Sequence, residues 1–129
     1  MAAILRLPRT ARLLRPADFA ALRANARRVS SRHFKVEYQV SPSGIARLGM
    51  AVSRRVSKRA VQRNRIRRVI REAFRLRRHE LPTLDLLLIA RSSAAEQTNV
   101  VLRDDLQILW HKLVALKESD APGTMRADS

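Results

Sequence analysis

The fold is decided by residues 47–78, which read RLGMAVSRRVSKRAVQRNRIRRVIREAFRLRR. The stretch opens with a short, largely apolar run that is typical of a β-strand, and then passes through a basic turn. After the turn, apolar residues recur every three or four positions, which is the spacing of an amphipathic helix. The sequence therefore predicts a strand, a turn and a long helix, with Ser57 as the helix N-cap.

Basic side chains crowd this stretch, which holds 13 Lys and Arg residues and one acid among 32 positions. A step of 100° per residue separates the predicted helix into two sides. One side carries Gln62, Ile66, Val69, Ile70 and Ala73. The other side carries Asn64, Arg68, Arg71 and Arg75, flanked by Arg65 and Arg67. Like charges at this spacing repel by roughly 0.2–0.5 kcal/mol per pair, so the arrangement predicts an anionic partner.

The charge of the whole chain is uneven. Residues 1–78 contain 22 basic and 3 acidic side chains, whereas residues 79–129 contain 5 and 8, and the net charge is +16. A polyanion is therefore expected on the first part, and arginine suits bidentate phosphate contact. The sequence has no apolar run long enough to span a membrane, so we expect no membrane partner. The absence of cysteine fits a reducing cytoplasm.

Shorter elements are predicted around this segment. Pro16 and Asp18 begin a short helix that fades near residue 25. Residues 27–31 are a brief extended piece, and residues 33–40 alternate as a half-buried strand does. The turn at residues 41–44, SPSG, predicts that the strands on either side of it pair as a hairpin.

The last part of the chain predicts a strand and a helix. Residues 84–90 form a nearly continuous apolar run, which favours a central strand buried on both faces. Leucines follow at helical spacing from Thr98 or Asn99. The order helix, strands, helix, strand, helix indicates an α+β fold, an α/β sandwich with a single sheet. We expect one domain over residues 1–118, with a basic arm at 1–15 and a disordered tail at 119–129.

Three motifs resemble those of the bacterial ribonuclease P protein subunit. They are Gly49-Met50-Ala51-Val52-Ser53-Arg54-Arg55, Lys58-Arg59-Ala60-Val61 and Arg63-Asn64-Arg65-Ile66-Arg67-Arg68. The resemblance extends along nearly the whole chain, and its Arg-Asn-Arg triplet is the most specific part. It implies a left-handed strand–helix–strand crossover, against the right-handed norm.

The resemblance also implies a function. It implies an endoribonuclease, a ribonucleoprotein that removes the 5′ leader from precursor tRNA. The partners are then the catalytic RNA subunit and precursor tRNA, with no small-molecule substrate. The active site and its Mg²⁺ ions belong to the RNA, and no cofactor, metal or catalytic residue is expected on the protein.

The matching motif positions imply two groups of site residues. The RNA-binding group is Arg54, Arg55, Lys58, Arg63, Asn64, Arg65, Arg67, Arg68 and Arg71. The leader cleft is Phe19, Phe34 and Lys35. Many family members line this cleft with aromatic residues, whereas the open sheet face here offers Lys35, Glu37 and Gln39. Leader contact is therefore expected to depend more on charge than on base stacking, and the alternation around Phe34 favours the core for that side chain.

The residues themselves argue against catalysis by the protein. A nuclease needs clustered carboxylates for metals, or histidines placed as acid and base. Asp18, Glu37, Glu72 and Asp85 are spread one per element, and the three histidines are far apart and expected to be surface or capping residues. A ribosomal or ribosome-assembly protein is the main alternative, because it would share the size, the charge and the lack of cysteine. An independent endonuclease and a DNA-compacting protein also stay open.

Overall fold

The computed structural model describes Ala11, Ala20, Leu22 and residues 26–119. The strands there are β1 (Arg27–Ser30), β2 (Phe34–Val40), β3 (Arg47–Ala51) and β4 (Leu84–Ala90). The helices are α1 (Ala60–Arg77) and α2 (Asn99–Ser119), with a 3-10 helix (Ser92–Glu96) before α2. The predicted α+β class and element order are confirmed over this part of the chain. The predicted first helix, the arm and the tail fall on positions outside the described residues, with four exceptions: Ala11 in the arm, Ala20 and Leu22, which are helical, and Ser119, which ends α2.

The strands lie in the order β1-β2-β4-β3. β2 is antiparallel to both of its neighbours, whereas β3 is parallel to β4. The predicted hairpin of β2 with β3 is therefore wrong, because β4 lies between them. Because β4 is almost entirely apolar, it is favoured at a position where both edges pair with other strands and both faces are buried. A central position in the sheet meets these conditions. β3, α1 and β4 form a crossover between adjacent parallel strands, and its left-handed sense stays an expectation.

One face of the sheet carries the main hydrophobic core. It presents side chains from β2 and β4, among them Phe34, Val36 and Leu86, to the two helices. The helix α1 buries Ile66, Val69, Ile70, Ala73 and Phe74. The helix α2 buries Leu102, Leu106, Leu109, Trp110 and Leu113. Within the described ranges, neither helix is long and apolar enough to cross a membrane.

An ion pair aligns the two parallel strands on the opposite face. Arg47 of β3 stands directly across from Asp85 of β4 in the sheet register. Its Nε and Nη2 atoms donate to the two carboxylate oxygens at 2.8 and 2.7 Å. Both side chains are largely buried, so this bidentate contact opposes a slip of β3 along β4.

The packing predicts which side chains hold the sheet to the helices. Leu86, which is fully buried between Tyr38 and Leu48, should cost about 2–5 kcal/mol of unfolding free energy when replaced by alanine. Val40, which is 76% exposed at the end of β2, is the matched control. Val40→Ala should change stability by less than about 0.5 kcal/mol. Equal losses in urea denaturation would contradict this core.

Candidate nucleic-acid interface

The side of α1 that faces away from the core is basic. Because Ile66, Ile70 and Phe74 are fully buried, the opposite side of the helix must face solvent. The exposed or half-exposed side chains there are Asn64, Arg67, Arg68, Arg71 and Arg75. The predicted division of the helix is thus confirmed, with Gln62 half-buried at its edge and Phe74 as an additional core residue.

The loop between β3 and α1 is held by arginines of the helix. The Arg63 guanidinium donates to the carbonyl oxygens of Ser57 and Lys58, each at 3.0 Å. Arg67 donates to Asn64 Oδ1 at 3.0 Å and makes a longer contact of 3.4 Å with the Val52 carbonyl. These bonds satisfy loop carbonyls that would otherwise need water. Two of the predicted RNA contacts, Arg63 and Arg67, therefore also support the loop.

The helix begins later than the sequence predicts. Its N-cap is Arg59, which makes no side-chain cap hydrogen bond, and the prediction of Ser57 as the cap is wrong. Ser57 Oγ instead accepts the Arg59 N–H at 3.1 Å, which turns the chain before the helix starts. The first backbone N–H groups of α1 thus lie beside Lys58 and Arg59 without a side-chain cap, an arrangement that favours phosphate.

Arg65 differs from its neighbours because it points along the protein surface toward α2. Its Nε and Nη2 atoms donate to Gln62 Oε1 at 3.1 and 2.9 Å. Its Nη1 donates to Asn99 Oδ1 at 2.7 Å, and Nη2 also donates to the Ala95 carbonyl at 3.2 Å. Arg65 therefore ties α1 to the start of α2, and the structure does not present it as an unpaired cation.

Seven cations of the loop and of α1 differ from these arginines, because they make no such contacts in the described part of the chain. Among the described residues, the following side chains have no hydrogen-bond or ion-pair partner: Arg54, Arg55, Lys58, Arg59, Arg68, Arg71 and Arg75. We call this set, on the loop and the outer side of α1, the basic surface. Unpaired guanidinium groups keep all their donors available for phosphate oxygens, and their mutual repulsion decreases when an anion binds.

A pocket of about 380 Å³ adjoins the basic surface at one edge of the sheet. Its cations are Lys35 at the start of β2, Arg55 in the loop after β3 and Arg91 directly after β4. The hydroxyl-bearing residues Ser53 and Ser92 also line it. Three positive charges and two hydroxyls around one concavity suit a phosphate of a single strand.

The structure places the other two predicted cleft residues differently. Phe34 is fully buried in the main core, so its expected contact with the leader is wrong and the core interpretation is correct. Its neighbours in the sheet register explain this, because Phe34 stands opposite Ala90 on the face that the helices cover. Phe19 lies outside the described residues.

The acids on the open sheet face are neutralised. Glu37, whose negative charge would repel a leader phosphate on this face, is almost fully buried and pairs with Arg28 at 3.5 Å. Asp85 pairs with Arg47. Over the described ranges, no group of three or more His, Asp or Glu side chains is placed to hold a metal ion. His33 is buried rather than at the surface, and its Nδ1 contacts Ser93 Oγ at 2.7 Å.

Comparison with known proteins identifies the family. The Ribonuclease P family model matches residues 7–114. The chain belongs to this family. It is 42% identical over 81% of its length to the ribonuclease P protein component of Idiomarina loihiensis, covering 85% of that protein. The corresponding protein of Xanthomonas oryzae is 44% identical, with 93% of this chain and 82% of that one covered.

Solved structures of ribonuclease P proteins share the fold. The Staphylococcus aureus ribonuclease P protein aligns with a TM-score of 0.72 at 28% identity, over 84% of this chain and 95% of that one. This chain is therefore a protein subunit of ribonuclease P, as its motifs indicate, and the ribosomal alternative is not favoured.

Sequence reasoning missed Arg91, Ser53 and Ser92 as parts of the pocket. The carboxyl ends of neighbouring parallel strands meet at one edge of a sheet, and residues just beyond them face the same space. Residue 91 follows β4 and residue 53 follows β3, so the parallel pairing of these strands was the signal that could have found them.

The contacts predict opposite behaviour for two arginines of α1. Arg65→Ala removes several hydrogen bonds and should lower the unfolding free energy by about 1–3 kcal/mol. For this variant, the slope of the logarithm of the RNA association constant against the logarithm of salt concentration should equal that of the wild type, when measured below the melting temperature. Arg68→Ala should leave stability within about 0.5 kcal/mol but reduce the salt slope by about one. A reduced slope for Arg65→Ala at unchanged stability would make Arg65 a direct phosphate contact instead.

Proposed function

We propose that the basic surface binds the catalytic RNA of ribonuclease P, and that the pocket of Lys35, Arg55 and Arg91 holds the 5′ leader of precursor tRNA. The observation that carries the proposal is the unpaired state of the cations on the loop and the outer side of α1. A cation with no protein partner has all its hydrogen-bond donors available. It therefore stabilises a bound phosphate more than a cation that already donates to the protein.

The physical contribution of the protein is electrostatic. The catalytic RNA and the leader are both polyanions and repel each other when they approach. Arginines on one rigid scaffold reduce that repulsion, because they neutralise phosphates of both strands and release condensed counterions. The protein therefore favours precursor, which has a leader, over mature tRNA, which has none.

The chemistry of cleavage belongs to the RNA in this proposal. Mg²⁺ bound to the catalytic RNA would supply the activated water for hydrolysis, and no part of that chemistry is assigned to the residues of the protein. The protein and Mg²⁺ both neutralise phosphates, so the protein should lower the Mg²⁺ concentration that the reaction needs. Because bacterial tRNA precursors are made in the cytoplasm, we assign the protein to that compartment.

Reconstitution at low Mg²⁺ tests the proposal. The protein, mixed with a bacterial catalytic RNA and a precursor tRNA, should restore leader removal at a Mg²⁺ concentration where the RNA alone is inactive. Protein without RNA should cleave nothing. Failure to restore cleavage, or cleavage by the protein alone, would contradict the assigned role.

Charge reversal locates the binding surface. Arg68→Glu combined with Arg71→Glu should weaken binding to the catalytic RNA by about tenfold or more, because two phosphate contacts become repulsive. Arg103→Glu makes the same kind of charge change at an exposed position of α2, outside the basic surface. Circular dichroism should show both variants folded. Arg103→Glu reverses one charge and the pair reverses two, so a loss of binding free energy for Arg103→Glu that is half the loss of the double variant would mean that only net charge matters.

A further inference from the structure

The C-terminal helix reaches the leader pocket through a buried carboxylate. Asp105 of α2 is only 6% exposed, and its carboxylate caps the turn between β1 and β2. Its Oδ2 accepts the Ser31 hydroxyl at 2.5 Å and the His33 N–H at 2.9 Å, and its Oδ1 accepts the Arg32 N–H at 3.3 Å. A carboxylate with three donors fixes the position of this turn strongly.

The same turn carries one corner of the pocket. The antiparallel ladder of β2 and β4 ends at the pair Phe34 and Ala90, so Arg91 lies one residue beyond it. The Arg91 backbone N–H donates to the His33 carbonyl at 2.9 Å, and its Nε makes a longer contact of 3.4 Å with the Phe34 carbonyl. The position of Arg91 therefore depends on His33 as well as on the end of the sheet.

A second link runs through the His33 side chain. Its Nδ1 contacts Ser93 Oγ at 2.7 Å, which holds the first turn of the 3-10 helix that begins at Ser92, directly after Arg91. His33 thus contacts Arg91 through its carbonyl and Ser93, the residue after Ser92, through its ring. Its backbone N–H is in turn held by Asp105.

We propose that Asp105 is a positioning residue for the leader pocket, which acts through His33 to hold Arg91 and Ser92 where they meet a leader phosphate. The inference rests on the proposed function of the pocket. Asp105 itself contacts no RNA. Removing its carboxylate frees the turn and lets Arg91 move. The basic surface stays in place, because it lies on the loop after β3 and on α1 and not on this turn.

Leader-dependent affinity tests this role. With the reconstituted holoenzyme, the dissociation constants of a precursor tRNA and of the same tRNA without its leader are measured, together with that of the protein for the catalytic RNA. Asp105→Ala should reduce the preference for precursor roughly fivefold to tenfold, through weaker precursor binding. Affinity for mature tRNA and for the catalytic RNA should stay that of the wild type.

Matched variants separate positioning from a merely structural role. Asp104→Ala removes the adjacent carboxylate, which is exposed and has no partner among the described residues, and should change none of the three constants. Ser93→Ala breaks only the second link and should lower the preference for precursor by a smaller factor. If Asp105→Ala does not fold, Ser31→Ala, which removes one of the three donors to Asp105, replaces it. Because the His33 N–H still donates to Asp105, the preference for precursor should then fall in the same direction by a smaller factor.

Two outcomes distinguish the inference from the proposal on which it rests. Arg91→Ala should abolish much of the preference for precursor, and an unchanged preference in that variant would overturn the pocket itself. If Arg91→Ala has this effect but the folded Asp105 and Ser93 variants keep the wild-type preference, the positioning role of Asp105 is wrong. A loss that is equal for precursor and mature tRNA would reduce Asp105 to a stabilising residue.

Discussion

Burial of one side of α1 against the sheet determines where every charged group on that helix points. Ile66, Ile70 and Phe74 are fully buried, and each contributes on the order of 1.5–3 kcal/mol. Repulsion between neighbouring arginines costs only roughly 0.2–0.5 kcal/mol per pair. Packing therefore prevails over repulsion, and the helix displays like charges on its outer side without rotating or unfolding.

The arginines of this segment divide into two kinds. Arg63 and Arg65 direct their donors at protein oxygens and hold the loop and the neighbouring helix, whereas Arg68 and Arg71 have no partner among the described residues. The arginines that bind protein oxygens hold the loop and the helix in place, and so fix the positions of the arginines that have no partner. A surface whose cations are already placed loses less conformational entropy when RNA binds, which leaves more of the electrostatic gain as affinity.

The local patterns in the sequence were sufficient for most elements but not for their arrangement. The spacing of Ile66, Val69 and Ile70 correctly predicted both sides of α1, because helix periodicity is a local property. The pairing of β2 with β3 was predicted wrongly from a turn, since the competing partner, β4, lies more than 30 residues further along the chain. That error hid the contribution of Arg91 to the pocket. The partners of Arg65 were likewise unpredictable, because they depend on how α2 packs.

The salt dependence of binding to the catalytic RNA tests the central claim most directly, because it counts the phosphates that the protein neutralises. If the basic surface neutralises about six phosphates, the logarithm of the association constant should fall with the logarithm of salt concentration at a slope of roughly −4 to −5. A slope of about −1, the value for a single contact, would contradict a surface of many guanidinium–phosphate contacts.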